Sequence, residues 1–167
     1  MRNTRTKTSN TLLSPAFVRG HSPTLSQSTA AYDHQMPLRK RVVVYVERED
    51  GLLVYDHRDH PDAGTQVPAG GVQRDEGLIE AAIREVREET GVRLDAEPTL
   101  LGTHEHLDGL GQRALSHFFR ADAPKGLPRA WQHIVSGDGG DAALVFDCRF
   151  DPAPEIWPVQ AVFRSGE

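Results

Sequence analysis

The stretch REVREETGV, residues 84–92, holds three glutamates, Glu85, Glu88 and Glu89, at i, i+3 and i+4. On a helix that spacing gathers the carboxylates on one side, where each raises the proton affinity of its neighbours. Two arrangements tolerate such crowding. One is a solvated charged face, which most helices have and which the spacing alone favours. The other is a hard divalent cation, which takes oxygen ligands and removes the conflict. A cation held there would activate water and neutralise charge on phosphoryl oxygens.

The residues upstream decide between the two. Gly70 is followed by five residues and then Glu76, and seven more lead to Arg84. The whole reads G-x5-E-x7-R-E-U-x-E-E-x-G-U, where the aliphatic U positions are Val86 and Val92. This pattern resembles the signature box of the Nudix hydrolase family, with every defined position filled from Gly70 to Val92. The resemblance implies an α+β domain, an α/β/α sandwich with a mixed β-sheet and a loop-helix that carries the box. It implies hydrolysis of a phosphoanhydride bond in a nucleoside diphosphate linked to another moiety, with Mg²⁺ as cofactor and Mn²⁺ as the alternative ion. Glu85, Glu88 and Glu89 would be metal ligands, with Glu85 alternatively a base. Arg84, Glu85 and Glu88 form the implied catalytic set, Arg84 by orienting the glutamates. Glu76 would support the loop–helix junction or approach the metal, Gly70 would let the loop pass close to the helix, and Gly91 would end it. Gly70, Gly71 and Glu76, with Arg58, are the candidate substrate-binding residues. The family usually places two glycines directly after the proline. Here Ala69 follows Pro68, and its backbone carbonyl is expected to serve as a ligand if φ is negative.

The elements that must position these groups are legible in the patterning. RVVVYVE, from Arg41, reads as a strand, residues 48–51 as a turn, and LLVYDH as a returning strand. TQVPAGGV, residues 65–72, is a short strand entering a Gly-rich loop. Leu78 to Thr90 is helical, with Ile79, Ala82, Ile83 and Val86 as the apolar stripe and the three glutamates beside or opposite it. TLLGTHEHL, RALSHFFRA and DAALVFDCRF read as three further strands. In the last, Leu144, Phe146, Cys148 and Phe150 share a face, which makes Cys148 a core residue rather than a nucleophile.

Other polar groups are weaker candidates. Arg58 could meet a phosphate, and His57 or His60 could stack or hydrogen-bond, although the bland reading is a polar loop. His104 and His106 fall on one face of a strand and Glu105 on the other, which argues against a joint zinc site. Glu105 or Asp108 could supply a base. Residues 131–142 read as a mobile loop, with Trp131 available to stack on a base or to pack. Marks that distinguish some substrate groups of the family, a proline or tyrosine beyond the box, are missing from residues 105–112.

Composition bounds the rest. The chain of 167 residues suits one domain with extra length. Residues 1–37 are expected to be a disordered tail, or a stretch preceding a true start at Met36, with an organelle transit peptide ranked last; the domain is expected over 38–167. Residues 1–40 hold six Lys/Arg and one acid, against 13 Lys/Arg and 23 acids in 41–167. That acidic body argues against stable nucleic-acid binding. No apolar run of membrane-spanning length occurs, and one cysteine permits no internal disulfide. The expectation is a cytoplasmic protein with a small nucleotide-like substrate, as monomer or homodimer. The rival expectation is a catalytically silent module of the same fold that binds a nucleotide-like ligand.

Overall fold

The computed structural model describes residues 38–108, 111–137 and 142–156. The expectations for residues 1–37, and the question of a second helix in 157–167, lie outside the described residues. Among the described residues seven strands and one α-helix follow in order: β1 Arg39–Arg48, β2 Gly51–His57, β3 Ala69–Gly71, α1 Leu78–Thr90, β4 Thr99–Leu107, β5 Arg113–Asp122, β6 Ala130–Ile134 and β7 Val145–Asp151. The strands form one mixed sheet in the order β4-β5-β1-β2-β7-β6, with β3 added against β1. β1 and β5 run parallel over Arg39↔Ala114 to Glu47↔Asp122, while the other ladders are antiparallel.

The valine run of β1 has a physical reason. Val42, Val44 and Val46 enter one core beneath α1, with Leu53, Tyr55, Phe119, Phe146, Cys148 and Phe150. Val43 and Tyr45 enter a second core with Leu52, Val54, Val67, Ala69, Phe118 and Ile156. A strand buried on both faces needs a continuous apolar run rather than alternation. Each fully buried side chain of this kind contributes roughly 1.5–3 kcal/mol.

The hairpin between β1 and β2 pairs at Arg48↔Gly51 and Glu47↔Leu52. Further along β1, β3 takes over that edge through Val43↔Ala69, Val42↔Gly70 and Arg41↔Gly71. This substitution brings the two glycines to the middle of the sheet, where α1 crosses. Helix α1 has the bounds its periodicity predicts, but its buried side differs. Ala81, Ala82 and Val86 are fully buried, and Glu85 and Glu89 join them, whereas Ile79 is 38% exposed. The two alanines are small enough for the helix to lie close to the sheet, which presses the glutamates against β3 instead of leaving them beside or opposite the packed side. Residues 131–134, expected in a mobile loop, belong to β6 and pair with β7 from Trp131↔Cys148 to Ile134↔Val145.

Candidate active site

The loop from β3 to α1 is folded by its own acids. Glu76 accepts the Gln73 backbone N–H at 2.9 Å, and Asp75 takes a left-handed φ of 62°. Glu80 accepts the Gly77 N–H at 2.9 Å, which satisfies one of the donors a helix start leaves open. These contacts turn Glu76 towards the first turns of α1, where Arg84 meets it.

Arg84 is the hub. Its Nε donates to Glu76 Oε1 at 2.7 Å and its Nη2 to Glu76 Oε2 at 3.0 Å. Nη2 also donates to the Gly71 carbonyl at 2.8 Å. Nη1 bridges Glu85 Oε1 at 2.8 Å and Glu88 Oε2 at 3.0 Å. A planar guanidinium with donors in a fixed fork can hold four groups in one arrangement, which an ammonium cannot. The same contacts hold the Glu76 carboxyl below its usual range. Arg84 is therefore no loose surface ion pair.

The three glutamates differ in surroundings. The Glu85 carboxylate occupies the space above Gly70, where an added Cβ would lie 1.9 Å from Oε1. Burial pushes its carboxyl up, against the opposing pull of Arg84. Glu89, 5% exposed, accepts the Ala69 backbone N–H at 2.9 Å. Glu88 is half-buried beside Gly137, where a Cβ would lie 3.0 Å from its carboxylate. Of the glycines expected to bind substrate, Gly70 makes room for Glu85 and Gly71 holds Arg84 through its carbonyl. Ala69 is absent from the described non-glycine residues with positive φ, so the condition for its carbonyl to serve is met.

The end of α1 is fastened by residues that the motif does not contain. Gly91 closes the helix at φ 75°, and its N–H donates to the Arg87 carbonyl. The Glu88 carbonyl accepts the Ser136 N–H at 3.0 Å and lies 2.9 Å from His133 Nε2, which must carry the proton to donate. The Trp131 indole N–H donates to the Thr90 carbonyl at 2.8 Å, and its ring packs on Phe150. Trp131 thus packs within the domain. The alternation of 131 and 133 was the signal available for these contacts.

The remaining candidates are dispersed. Arg58 pairs with Asp147 at 2.9 Å. His57 packs on Phe146 with ring centroids 4.3 Å apart, and His60 is exposed at the start of a 3-10 turn. Glu105 pairs with Arg113 and Asp108 with Arg39. His104 and His106 share a face as expected, their rings 6.0 Å apart and nearly parallel. Burial first, then Asp147 and Glu89, push the Cys148 thiol up to about 12, which keeps it protonated and inert.

Among the described residues no three carboxylate, imidazole or thiol groups converge into a closed cage for an ion. The donor chemistry nevertheless fits a hard divalent cation. The set is all oxygen, and the missing side chain of Gly70 makes the room in which the Glu85 carboxylate sits. Mg²⁺ keeps several waters and joins one or two carboxylates to substrate phosphates, so a closed cage is not required.

The NUDIX domain family model matches residues 37–156, and the chain belongs to that family. A stretch of 64 residues is 44% identical to the RNA pyrophosphohydrolase of Xanthomonas campestris pv. campestris (strain B100), covering 38% of this chain and 30% of that protein. The chain thus spans less than a third of the length of the curated relatives it matches. Among solved structures, the MutT NUDIX hydrolase from Burkholderia pseudomallei superposes with a TM-score of 0.56 at 22% identity, over 75% of this chain and 95% of that one. A NUDIX hydrolase from Nitrosomonas europaea gives 0.50 at 23%, over 69% and 73%. At these identities the likeness is one of fold.

Proposed function

We propose that the protein hydrolyses a phosphoanhydride bond in a nucleoside diphosphate linked to another moiety, such as a nucleotide or nucleotide sugar, with Mg²⁺ and Mn²⁺ as the candidate ions. The observation that carries this reading is the Arg84 Nη1 bridge between Glu85 and Glu88, set against Gly70 and Gly71 of β3. Glu85, Glu88 and Glu89 would hold the cation, with the Ala69 carbonyl as a further oxygen. When bound, the ion lowers the pKa of a water and neutralises charge on the phosphoryl oxygens. Arg84 fixes the carboxylates, Glu76 fixes Arg84, and Gly70 lets Glu85 approach the sheet. Preorganised groups of this kind need no rearrangement as charge develops in the transition state.

The name of the curated relatives favours a second substrate, a pyrophosphate at the 5′ end of RNA. The excess of acids over residues 41–167 opposes tight contact with a long phosphate backbone. Phosphate or pyrophosphate release is to be measured on a panel of nucleotides, nucleotide sugars and 5′-triphosphorylated RNA, with Glu88→Gln in parallel. Metal-dependent turnover that collapses in the variant supports the enzyme. A ligand that raises the melting temperature without being cleaved supports the silent binding module instead.

A further inference from the structure

The sheet face turned away from α1 holds a cation that the site described above leaves unused. Strand alternation turns Arg39 and Arg41 of β1 to the side opposite Val42. The register sets Arg41 beside Ser116 of β5, and Ser116 beside His104 of β4. The neighbouring row is Arg39, Ala114 and His106. His106 Nε2 lies 2.9 Å from Ser116 Oγ, and Arg39 is paired with Asp108. Neither row contains a carboxylate.

Arg41 is half-buried and makes no side-chain hydrogen bond or ion pair within the described residues. It stands across from Gly71, one residue from the glycine against which Glu85 packs. Its charge reaches Glu85, yet Arg84 supplies that carboxylate's hydrogen bond. A partly desolvated guanidinium with five donors and no acceptor is poorly satisfied on its own. A phosphate oxygen is the partner its geometry suits, because Arg–phosphate contacts are charge-assisted and often bidentate.

We propose that Arg41 binds a phosphate oxygen of the substrate, and that the face formed with Ser116, His104 and His106, rather than the loop at Arg58, receives the substrate. This rests on the pyrophosphohydrolase reading given above. The test uses the full chain with Mg²⁺. Binding of inorganic pyrophosphate is followed by calorimetry, and KM and kcat are measured on the best substrate of the panel. Arg41→Gln and Arg41→Lys are compared with Arg120→Gln, which removes the same charge from an exposed pair with Glu47.

Arg41→Gln is expected to weaken pyrophosphate binding and to raise KM about tenfold or more. Its kcat should stay within about twofold and its melting temperature should not move. Arg41→Lys is expected to recover part of the loss. Behaviour of Arg41→Gln like that of Arg120→Gln, with the wild type active, overturns the Arg41 assignment and leaves the enzyme reading standing. A fall in kcat with unchanged KM and pyrophosphate affinity also overturns it. A wild type that neither cleaves any member of the panel nor binds pyrophosphate overturns both.

Discussion

Glu85 fills the space that a side chain on Gly70 would need: a Cβ built there lies 1.9 Å from Glu85 Oε1. No relaxation of a few tenths of an ångström accommodates that, and Arg84 fastens the carboxylate in place. Gly70→Ala is therefore expected to displace Glu85, with a loss of about 10²-fold in kcat/KM from misplacement alone and about 1–3 kcal/mol of stability from overpacking. Gly71→Ala is the internal control, because nothing among the described residues lies within 4 Å of its added Cβ. Steady-state kinetics and urea melts on the two variants check the contrast. Equal effects at both positions would show that the glycines serve something other than room for Glu85.

Arg84 joins Glu76, Glu85, Glu88 and the Gly71 carbonyl through five hydrogen bonds. Lysine keeps the charge and loses the fork. If orientation is what Arg84 supplies, Arg84→Lys should cost about 10²-fold in kcat, close to Arg84→Ala, while both remain folded by circular dichroism. If only charge matters, lysine should restore most of the activity.

These relationships were unequally legible in the sequence. The bounds of α1 follow from periodicity, and the Gly70 approach and the contact of Arg84 with the glutamates from the resemblance to the family's box, because the residues concerned lie within one short segment. The buried side of α1 did not follow. Periodicity ranks Ile79 above Glu85 as a core residue, but the small Ala81 and Ala82 decide where the helix touches the sheet, and Glu85 and Glu89 lie on that line. β6 reads as a loop in the sequence because His133 and Gln132 weaken its apolar alternation. The part of Ser136 left no mark, and that of His133 only its alternation with Trp131: their partner is the backbone carbonyl of Glu88, which has no residue type to read and lies 45 positions before His133.

Glu85 also sets a pH dependence. Burial raises its folded pKa above the unfolded value, so the folded state holds the proton more tightly. Its contribution to stability is full below about pH 4.3, the unfolded value, and is lost as pH rises through the folded pKa. With a chelator present, Glu85→Gln should therefore melt several degrees above the wild type at pH 7, with the difference shrinking towards pH 4. Glu76 acts with the opposite sign, because its lowered pKa contributes stability that is lost at acid pH; both proteins share it, so it cancels in the difference. Addition of Mg²⁺ should stabilise the wild type more than Glu85→Gln at pH 7. A pH-independent difference in thermal melts would remove Glu85 as its source.

His117 offers a separate test, away from the glutamates. It is 8% exposed on β5, and among the described residues neither ring nitrogen has a hydrogen-bond partner. It lies on the α1 side, opposite Val42 and Thr103 in the ladders. A neutral imidazole carries one donor and one acceptor, and each buried group left unsatisfied costs about 1–3 kcal/mol. Burial and then Lys40 lower its pKa, so the folded state binds the proton less well than the unfolded chain. Stability from this group is present above the unfolded value of about 6.5 and is lost as pH falls through the folded pKa. His117→Leu, apolar and of similar size, is expected to raise stability by about 1–2 kcal/mol at pH 8 and by more at pH 5. Urea midpoints at the two pH values measure both effects. A destabilised variant would mean that the imidazole is satisfied in solution, and a gain equal at both pH values would mean that His117 does not titrate against folding.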